Sequence, residues 1–228
     1  MSTTTPMATG TIRFTATAMS TDLLTLAQWL SPAFPVGAFS YSHGLEAAFH
    51  AGWISDADSL EAWLADLLTH GAGRSDATLL AAAYRGKMPL GEIDEIARAF
   101  TPSAERLLET AAQGQAFAEV VGAVWGAELD GLTYPVALGA AAREGLPLGL
   151  TLTLYLQAFT SNLIAAAQRL GPIGQTEGQR ILHRLSPLIE ATAEAATPGD
   201  PDSLASAAFL ADIASMRHET QYSRIFRS

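Results

Sequence analysis

Cysteine is absent from the 228 residues of this chain. That absence excludes disulfide bonds, thiolate metal sites and cysteine nucleophiles, and it is typical of a reducing compartment. Basic residues are few as well, because 13 Lys and Arg stand against 23 Asp and Glu, for a net charge of −10. Nucleic acid and anionic membranes are bound largely through basic side chains, so neither is an expected partner. We therefore predict a cytoplasmic protein.

Long uninterrupted apolar runs are also lacking. The longest apolar stretch, Leu146 to Leu170, is broken by Pro147, Gln157, Asn162 and Gln168. A membrane-spanning helix needs about 20 nearly continuous apolar residues, so this stretch predicts a helix buried in a large soluble core. The threonine-rich N-terminus, with Arg13 as its only basic residue, lacks the apolar region of a secretion signal. We interpret residues 1–20 as a disordered extension.

Strand signals are missing, since no stretch alternates cleanly between apolar and polar residues. Apolar residues nevertheless make up 49% of the chain, and alanine and leucine dominate them. Those side chains lose little rotamer freedom in a helix, so the composition predicts an all-α fold. We expect a single compact bundle of roughly eight to ten helices over residues 21–215.

Apolar spacing places several of these helices. One stripe runs through Leu60, Trp63, Leu64, Leu67 and Leu68 and is interrupted at Gly71. The spacing further predicts helices from about 42 to 51 and 103 to 125, helices starting near Pro135, Pro147 and Thr176, and a last helix from about 203 to 217.

The signatures of common enzymes are absent. The chain has no Gly-x-Ser-x-Gly elbow after a strand, no Walker phosphate loop and no Gly-x-Gly-x-x-Gly turn. We therefore predict no catalytic centre and no cofactor.

One short segment has the composition of a metal site. His43, Glu46 and His50 stand at i, i+3 and i+7, and imidazole and carboxylate suit nickel or zinc. A single helix needs a second helix to complete such a site, so these are weak metal candidates. We favour the interpretation that they form a polar outer face opposite the apolar side of their helix.

Two segments have the composition of protein interfaces. Residues 216–228 carry three arginines and only one glutamate, interleaved with Tyr222, Ile225 and Phe226. Arginine with aromatic residues is typical of binding hot spots, so this segment predicts a docking tail. The loop and turn of residues 34–42 could equally be a core plug or a docking surface that exposes Phe39 or Tyr41.

Three blocks of sequence stand out: Ser31-Pro-Ala-Phe-Pro-Val-Gly-Ala-Phe-Ser-Tyr-Ser-His-Gly-Leu-Glu46, Arg169-Leu-Gly-Pro-Ile-Gly-Gln-Thr-Glu-Gly-Gln-Arg180, and the C-terminal block from Met216 to Ser228. Together they resemble the UreF-type urease accessory proteins. The blocks follow one another in the family's order, and the resemblance spans about residues 23–228. The extension through Ala18 shows no family counterpart.

The resemblance implies an all-α homodimer that acts in urease maturation. Family members join a UreD/UreH-type protein and a UreG-type GTPase, and that assembly delivers nickel to apo-urease. By position, Arg217, Tyr222, Arg224, Phe226 and Arg227 would contact the UreD-like protein. A second set of residues would face the GTPase, namely Phe39, Ser40, Tyr41, His43 and Glu46. Gln175 to Gln179 would lie nearby.

Two alternatives stay open within the same system. The chain could activate the GTPase by supplying an arginine in trans, with Arg217, Arg224 or Arg180 as candidates. It could instead carry nickel directly through His43, Glu46 and His50.

Overall fold

The computed structural model describes the backbone of residues 16–228 and side chains from Thr21 onward. The described residues form ten α-helices and no strand, which confirms the predicted all-α class. The helices are α1 (Ala16–Trp29), α2 (Leu45–His50), α3 (Ala57–His70), α4 (Ala72–Arg85), α5 (Leu90–Ala99), α6 (Ala104–Trp125), α7 (Tyr134–Ala142), α8 (Leu148–Leu170), α9 (Gln175–Ala196) and α10 (Phe209–His218). Short 3-10 turns occupy Ala38–Ser40 and Pro201–Ser203. Helix α1 begins within the predicted extension, and residues 1–15 of that extension lie outside the described part.

Local sequence sets several helix ends. Asp56 and Ser59 form a capping box at the start of α3, and the Ser103 hydroxyl accepts the Arg106 N–H at 3.1 Å at the start of α6. The break between α3 and α4 falls at Gly71, as predicted.

Two predicted helix starts are wrong. Helix α2 begins at Leu45 rather than near residue 42, because His43 (φ +53°) and Gly44 (φ +77°) have left-handed backbone that cannot continue a helix. Helix α10 begins at Phe209 rather than near residue 203. Residues 204–208 are not helical, and the Ala207 N–H donates instead to the carbonyl of His70 at the end of α3, 2.8 Å away.

The core is formed mainly by α3, α4, α6, α7, α8 and α9. Helices α4 and α7 cross closely because Gly139 has no side chain: a Cβ there would lie 2.2 Å from the carbonyl oxygen of Leu80. Helix α8 is the one described helix that is long and apolar enough to cross a membrane, and half of its apolar window is buried against the rest of the fold. This agrees with the predicted core helix.

Candidate docking surface and buried charge cluster

The C-terminal segment, residues 219–228, folds back over the region between residues 40 and 46. The Arg227 N–H donates to the Ser40 carbonyl at 2.8 Å, and the Ser42 N–H donates to the Ser228 carbonyl at 2.7 Å. The Ser42 hydroxyl also donates to the Ser228 carbonyl. These backbone bonds bring together the two segments that the sequence predicts as separate interfaces.

A buried carboxylate in α2 holds this segment in place. Glu46 is 4% exposed, and its oxygens accept the N–H groups of Ile225 at 2.8 Å and Phe226 at 2.9 Å. His218, fully buried at the end of α10, places Nε2 3.3 Å from Glu46 and Nδ1 2.6 Å from Glu105 of α6. Buried backbone N–H groups need acceptors, and by accepting from two of them Glu46 offsets the cost of burying the inner side of the segment.

An arginine of α8 fixes the aromatic residue of the segment. The guanidinium of Arg169 lies 4.3 Å from the centre of the Phe226 ring, and it donates to the carbonyl of Phe39 at 2.9 Å. Phe226 itself is 4% exposed. One cation thus links α8, the 38–40 turn and the C-terminal segment.

Beneath the segment lies a buried charge cluster, formed by His43, Asp76, Arg106, Glu109 and Tyr155. Arg106 Nη1 lies 2.6 Å from Glu109 Oε2, and its Nη2 lies 3.6 Å from Asp76. Tyr155 donates its hydroxyl hydrogen to Asp76 at 3.0 Å. His43 Nε2 lies 2.7 Å from Glu109 and 3.0 Å from Arg106. Because Nε2 cannot donate to one and accept from the other, we assign its N–H to Glu109.

The pKa values in the cluster follow from burial and charge. Burial by itself would raise the pKa of Glu109, but the neighbouring Arg106 and His43 outweigh it and lower that pKa to about 2. For Asp76 burial prevails over the more distant Arg106, so its pKa is raised. Burial would lower the pKa of Arg106, yet the two carboxylates raise it. The Arg106–Glu109 pair is therefore a fixed ion pair at neutral pH.

Ser228, the last residue of the C-terminal segment, connects the segment to the buried charge cluster. The Ser228 hydroxyl donates to Glu109 Oε2 at 2.8 Å, and Ser228 is fully buried. The cluster also forms one wall of a cavity of about 510 Å³, whose other walls come from α1, the loop after it and α8. A polar floor inside an apolar opening is the usual form of a binding cavity.

The residues predicted to contact the UreD-like partner divide into inward and outward groups. Tyr222 is fully exposed, and Arg217 and Arg227 are exposed. Arg224 is exposed as well but donates to Glu105 at 2.5 Å, whereas Phe226 is buried. Arg224 and Phe226 thus hold the segment against the rest of the protein, whereas Tyr222, Arg217 and Arg227 are exposed to solvent.

The residues predicted to face the GTPase divide in the same way. Phe39 is 70% exposed and Ser40 is half-buried, whereas Tyr41, His43 and Glu46 are buried. The buried three support the 38–40 turn and the C-terminal segment from within.

The interpretation of His43, Glu46 and His50 as a polar outer face is wrong for two of the three. His43 precedes α2 and binds Glu109, and Glu46 binds the C-terminal segment. Only His50 is exposed, with its Nδ1 3.4 Å from the Gln221 amide. In the part of the chain that the structure describes, no group of three or more His, Cys, Asp or Glu residues could hold a metal ion.

Helix α10 carries an exposed apolar stripe that was not predicted from the sequence. Its members recur at helical spacing while Ala211, Ala214 and Ser215 are buried on the other side. The stripe consists of Phe209, Leu210, Ile213 and Met216. Its periodicity was visible in the sequence, but an apolar stripe normally predicts the buried face of a helix. The roles of Asp76, Glu105, Arg106 and Glu109 had no such signal, because they depend on contacts between distant segments.

These features define an all-helical protein whose C-terminal segment is bound by buried carboxylates and lies beside an exposed apolar helix face. The UreF family model matches residues 54–186 of the chain. A urease accessory protein UreF from Roseobacter denitrificans is 53% identical over 222 residues, covering 96% of this chain and all of the relative. One from Ruegeria sp. (strain TM1040) is 60% identical over 208 residues, covering 90% and 97%. The chain belongs to the UreF family of urease accessory proteins.

The Roseobacter match also corrects one expectation about the N-terminus. Because it covers 96% of the chain, it leaves fewer residues unmatched than the extension through Ala18 contains. Part of that extension therefore has a counterpart in this relative.

Proposed function

We propose that this chain is a non-catalytic scaffold that joins a UreD/UreH-type protein to a UreG-type GTPase for nickel insertion into apo-urease. It would act in the cytoplasm as a homodimer. The observation that carries the proposal is the C-terminal segment, whose inner side is hydrogen-bonded to the buried Glu46 and Glu109, while Tyr222 and Ile225 on its outer side are exposed.

The outer side has the chemistry of a hot spot. Tyr222 is fully exposed, Ile225 is 61% exposed, and the guanidinium of Arg217 lies 5.0 Å from the Trp53 ring. The apolar stripe of α10 leads directly into this segment. Large apolar side chains next to exposed arginines favour a protein partner over a small molecule. We assign this face to the UreD-like protein.

The neighbouring 38–40 turn supports a second partner. Phe39 is exposed, and its carbonyl is held by Arg169, which also packs on Phe226. Because one arginine supports both surfaces, binding at the C-terminal segment would stabilise the turn that we assign to the GTPase. This arrangement favours a scaffold whose two partners bind side by side.

Point variants on the outer side test the proposal better than a truncation. Removal of residues 216–228 would take away the partners of Glu46 and Glu105 and the Ser228 donor of Glu109, and would destabilise the fold. We expect Tyr222→Ala and Ile225→Ser to weaken co-purification of the UreD-like protein about ten- to thirty-fold each, since exposed hot-spot residues contribute about 2 kcal/mol. The helical circular dichroism should not change.

Val124→Ser is the matched control for Ile225→Ser. Val124 is 63% exposed, so the two residues are equally accessible, but it lies at the opposite end of α6 from Glu105. The assignment fails if the two tail variants retain the partner as well as the Val124→Ser control does.

For the GTPase, Phe39→Ala should reduce recruitment only when the UreD-like protein is present.

A further inference from the structure

His218, the last residue of α10, is a fully buried histidine that lies between two carboxylates. Its Nε2 lies 3.3 Å from Glu46 of α2, and its Nδ1 lies 2.6 Å from Glu105 of α6. An ionised carboxylate only accepts hydrogen bonds, so each ring nitrogen must carry a hydrogen to bond to its neighbour. An imidazole with hydrogens on both nitrogens is positively charged.

The charges around this imidazole balance only in its protonated form. Glu46 and Glu105 bring two negative charges, and Arg224 of the C-terminal segment, 2.5 Å from Glu105, brings one positive charge. The protonated His218 supplies the second positive charge. Other charged or titratable residues on the surrounding elements form no bond with His218 within the described part of the chain: His43 and His50 at α2, Arg106, Glu109 and Glu119 on α6, Asp212, Arg217 and Glu219 at α10, and Arg227.

The carboxylate at Nε2 is also the one that holds the C-terminal segment. The oxygen of Glu46 that faces His218, Oε2, accepts the N–H groups of Ile225 at 3.0 Å and Phe226 at 2.9 Å. Because the contact of Nδ1 with Glu105 is the shorter one, a neutral imidazole would retain its hydrogen on Nδ1. Its Nε2 would then present a lone pair to Oε2 of Glu46, and the repulsion would act on the group that anchors the segment.

Close backbone contacts keep His218 beside Glu46. Gly44, just before α2, lies so near α10 that a Cβ on it would be 2.5 Å from the backbone nitrogen of Ser215. The Ser215 hydroxyl also lies 2.6 Å from the hydroxyl of Ser103, which caps α6. Since α10 is fixed within one turn of His218, repulsion at Nε2 is relieved by release of residues 225 and 226 rather than by a shift of the helix.

We propose that His218 is a proton-dependent latch for the C-terminal segment. Residues 219–228 are bound while the imidazole carries both hydrogens, and they are released when it loses one. The consequence for binding rests on the function proposed above, in which this segment contacts the UreD-like protein. As the pH rises and His218 loses its second hydrogen, that surface would be lost and the affinity for the partner would fall.

Hydrogen exchange of the isolated full-length chain tests the latch without any partner. Amide protection factors, which correct for the intrinsic effect of pH on exchange, are measured from about pH 6 to pH 9, where histidine charge changes are common. The ring nitrogen shifts of His218 report its protonation in the same samples. We expect the protection of Ile225 and Phe226 to fall about ten- to hundred-fold as the ring loses its hydrogen, because a hydrogen bond to a charged group is lost.

Two glutamine variants separate His218 from the other histidines. In His218→Gln the protection of Ile225 should be low already at pH 6 and independent of pH. His50→Gln is the matched control, since His50 is exposed beside the same segment, and it should keep the native pH dependence. A pH dependence that survives in His218→Gln would overturn the proposal, because His43 beneath the segment would then be its source.

The native chain decides the question even if His218→Gln does not fold. A ring that keeps both hydrogens up to pH 9 would overturn the proposal, and so would unchanged protection of Ile225 and Phe226 after the ring has lost one.

Binding of the UreD-like protein separates the latch from the function on which its use depends. We expect the affinity of the native chain to fall by about the same ten- to hundred-fold factor between pH 6 and pH 9, relative to His218→Gln. If exchange follows the protonation of His218 but binding does not change with pH, the latch is supported and the assignment of this surface to the partner fails.

Discussion

Replacement of Glu109 by glutamine removes one charge from the buried charge cluster and leaves the size of the side chain unchanged. In the folded protein the pKa of Glu109 is lowered from 4.5 to about 2, because Arg106 and His43 outweigh the effect of burial. A difference of that size corresponds to about 3 kcal/mol of stability at neutral pH. Broken buried ion pairs typically cost about as much, since the remaining charge is left without a partner. Arg106 would retain only Asp76, 3.6 Å away.

The assay is denaturant unfolding followed by circular dichroism between pH 2 and pH 7. The lowered pKa means that the contribution of Glu109 is complete above about pH 4.5 and is lost as the pH falls toward 2. The difference in unfolding free energy between the native chain and Glu109→Gln should therefore be about 3 kcal/mol at pH 7 and shrink at low pH. The melting temperature at pH 7 should fall by about 6–12 °C.

Glu119→Gln is the control, because Glu119 lies on the same helix but is exposed and accepts only from Gln115. We expect it to change stability by less than about 0.5 kcal/mol. The reasoning is refuted if the two variants are equally stable at pH 7, or if the effect of Glu109→Gln does not depend on pH. Either result would mean that Glu109 is not a buried ion-pair partner.

Further predictions concern packing and the C-terminal segment. Gly139→Ala should destabilise the protein by about 2–4 kcal/mol in denaturant unfolding, because its Cβ would lie 2.2 Å from a backbone oxygen of α4. Gly149→Ala, where a Cβ meets nothing within 4 Å, should instead stabilise α8 by about 0.5–1 kcal/mol. Phe226→Ala should release the C-terminal segment, since the ring is buried beneath Arg169. Hydrogen exchange of residues 225–228 should accelerate about a hundred-fold, as the loss of about 3 kcal/mol implies. Unchanged exchange there would show that the backbone bonds alone hold the segment.

The helical fold was largely predictable because apolar spacing is a local property. The stripe from Leu60 to Leu68 predicted α3, and the segments at Pro135 and Pro147 predicted α7 and α8. The resemblance to the UreF family, confirmed by the comparisons, rested on blocks that can be read without the structure. These signals need no knowledge of distant contacts.

The interior of the candidate site was not predictable for the opposite reason. Glu46 follows the spacing of a polar outer face, yet it is buried because the N–H groups of Ile225 and Phe226 satisfy it. His43 has a left-handed backbone that propensity would not assign to it. Periodicity describes one helix at a time, whereas these residues obtain their partners from the other end of the chain.

The bond between Ser42 and Ser228 joins positions 186 residues apart, and it imposes an order on folding. During synthesis, every acceptor of the C-terminal segment leaves the ribosome before the segment itself. Until then Glu46 and Glu109 have no backbone or serine donor from the tail, so the nascent chain can form its helices while this part of the interior stays hydrated. Because such long-range contacts form late, the surface assigned to the partners is completed only after the rest of the chain has folded. Until residues 219–228 have emerged, a nascent chain therefore lacks the surface that we propose for the partners.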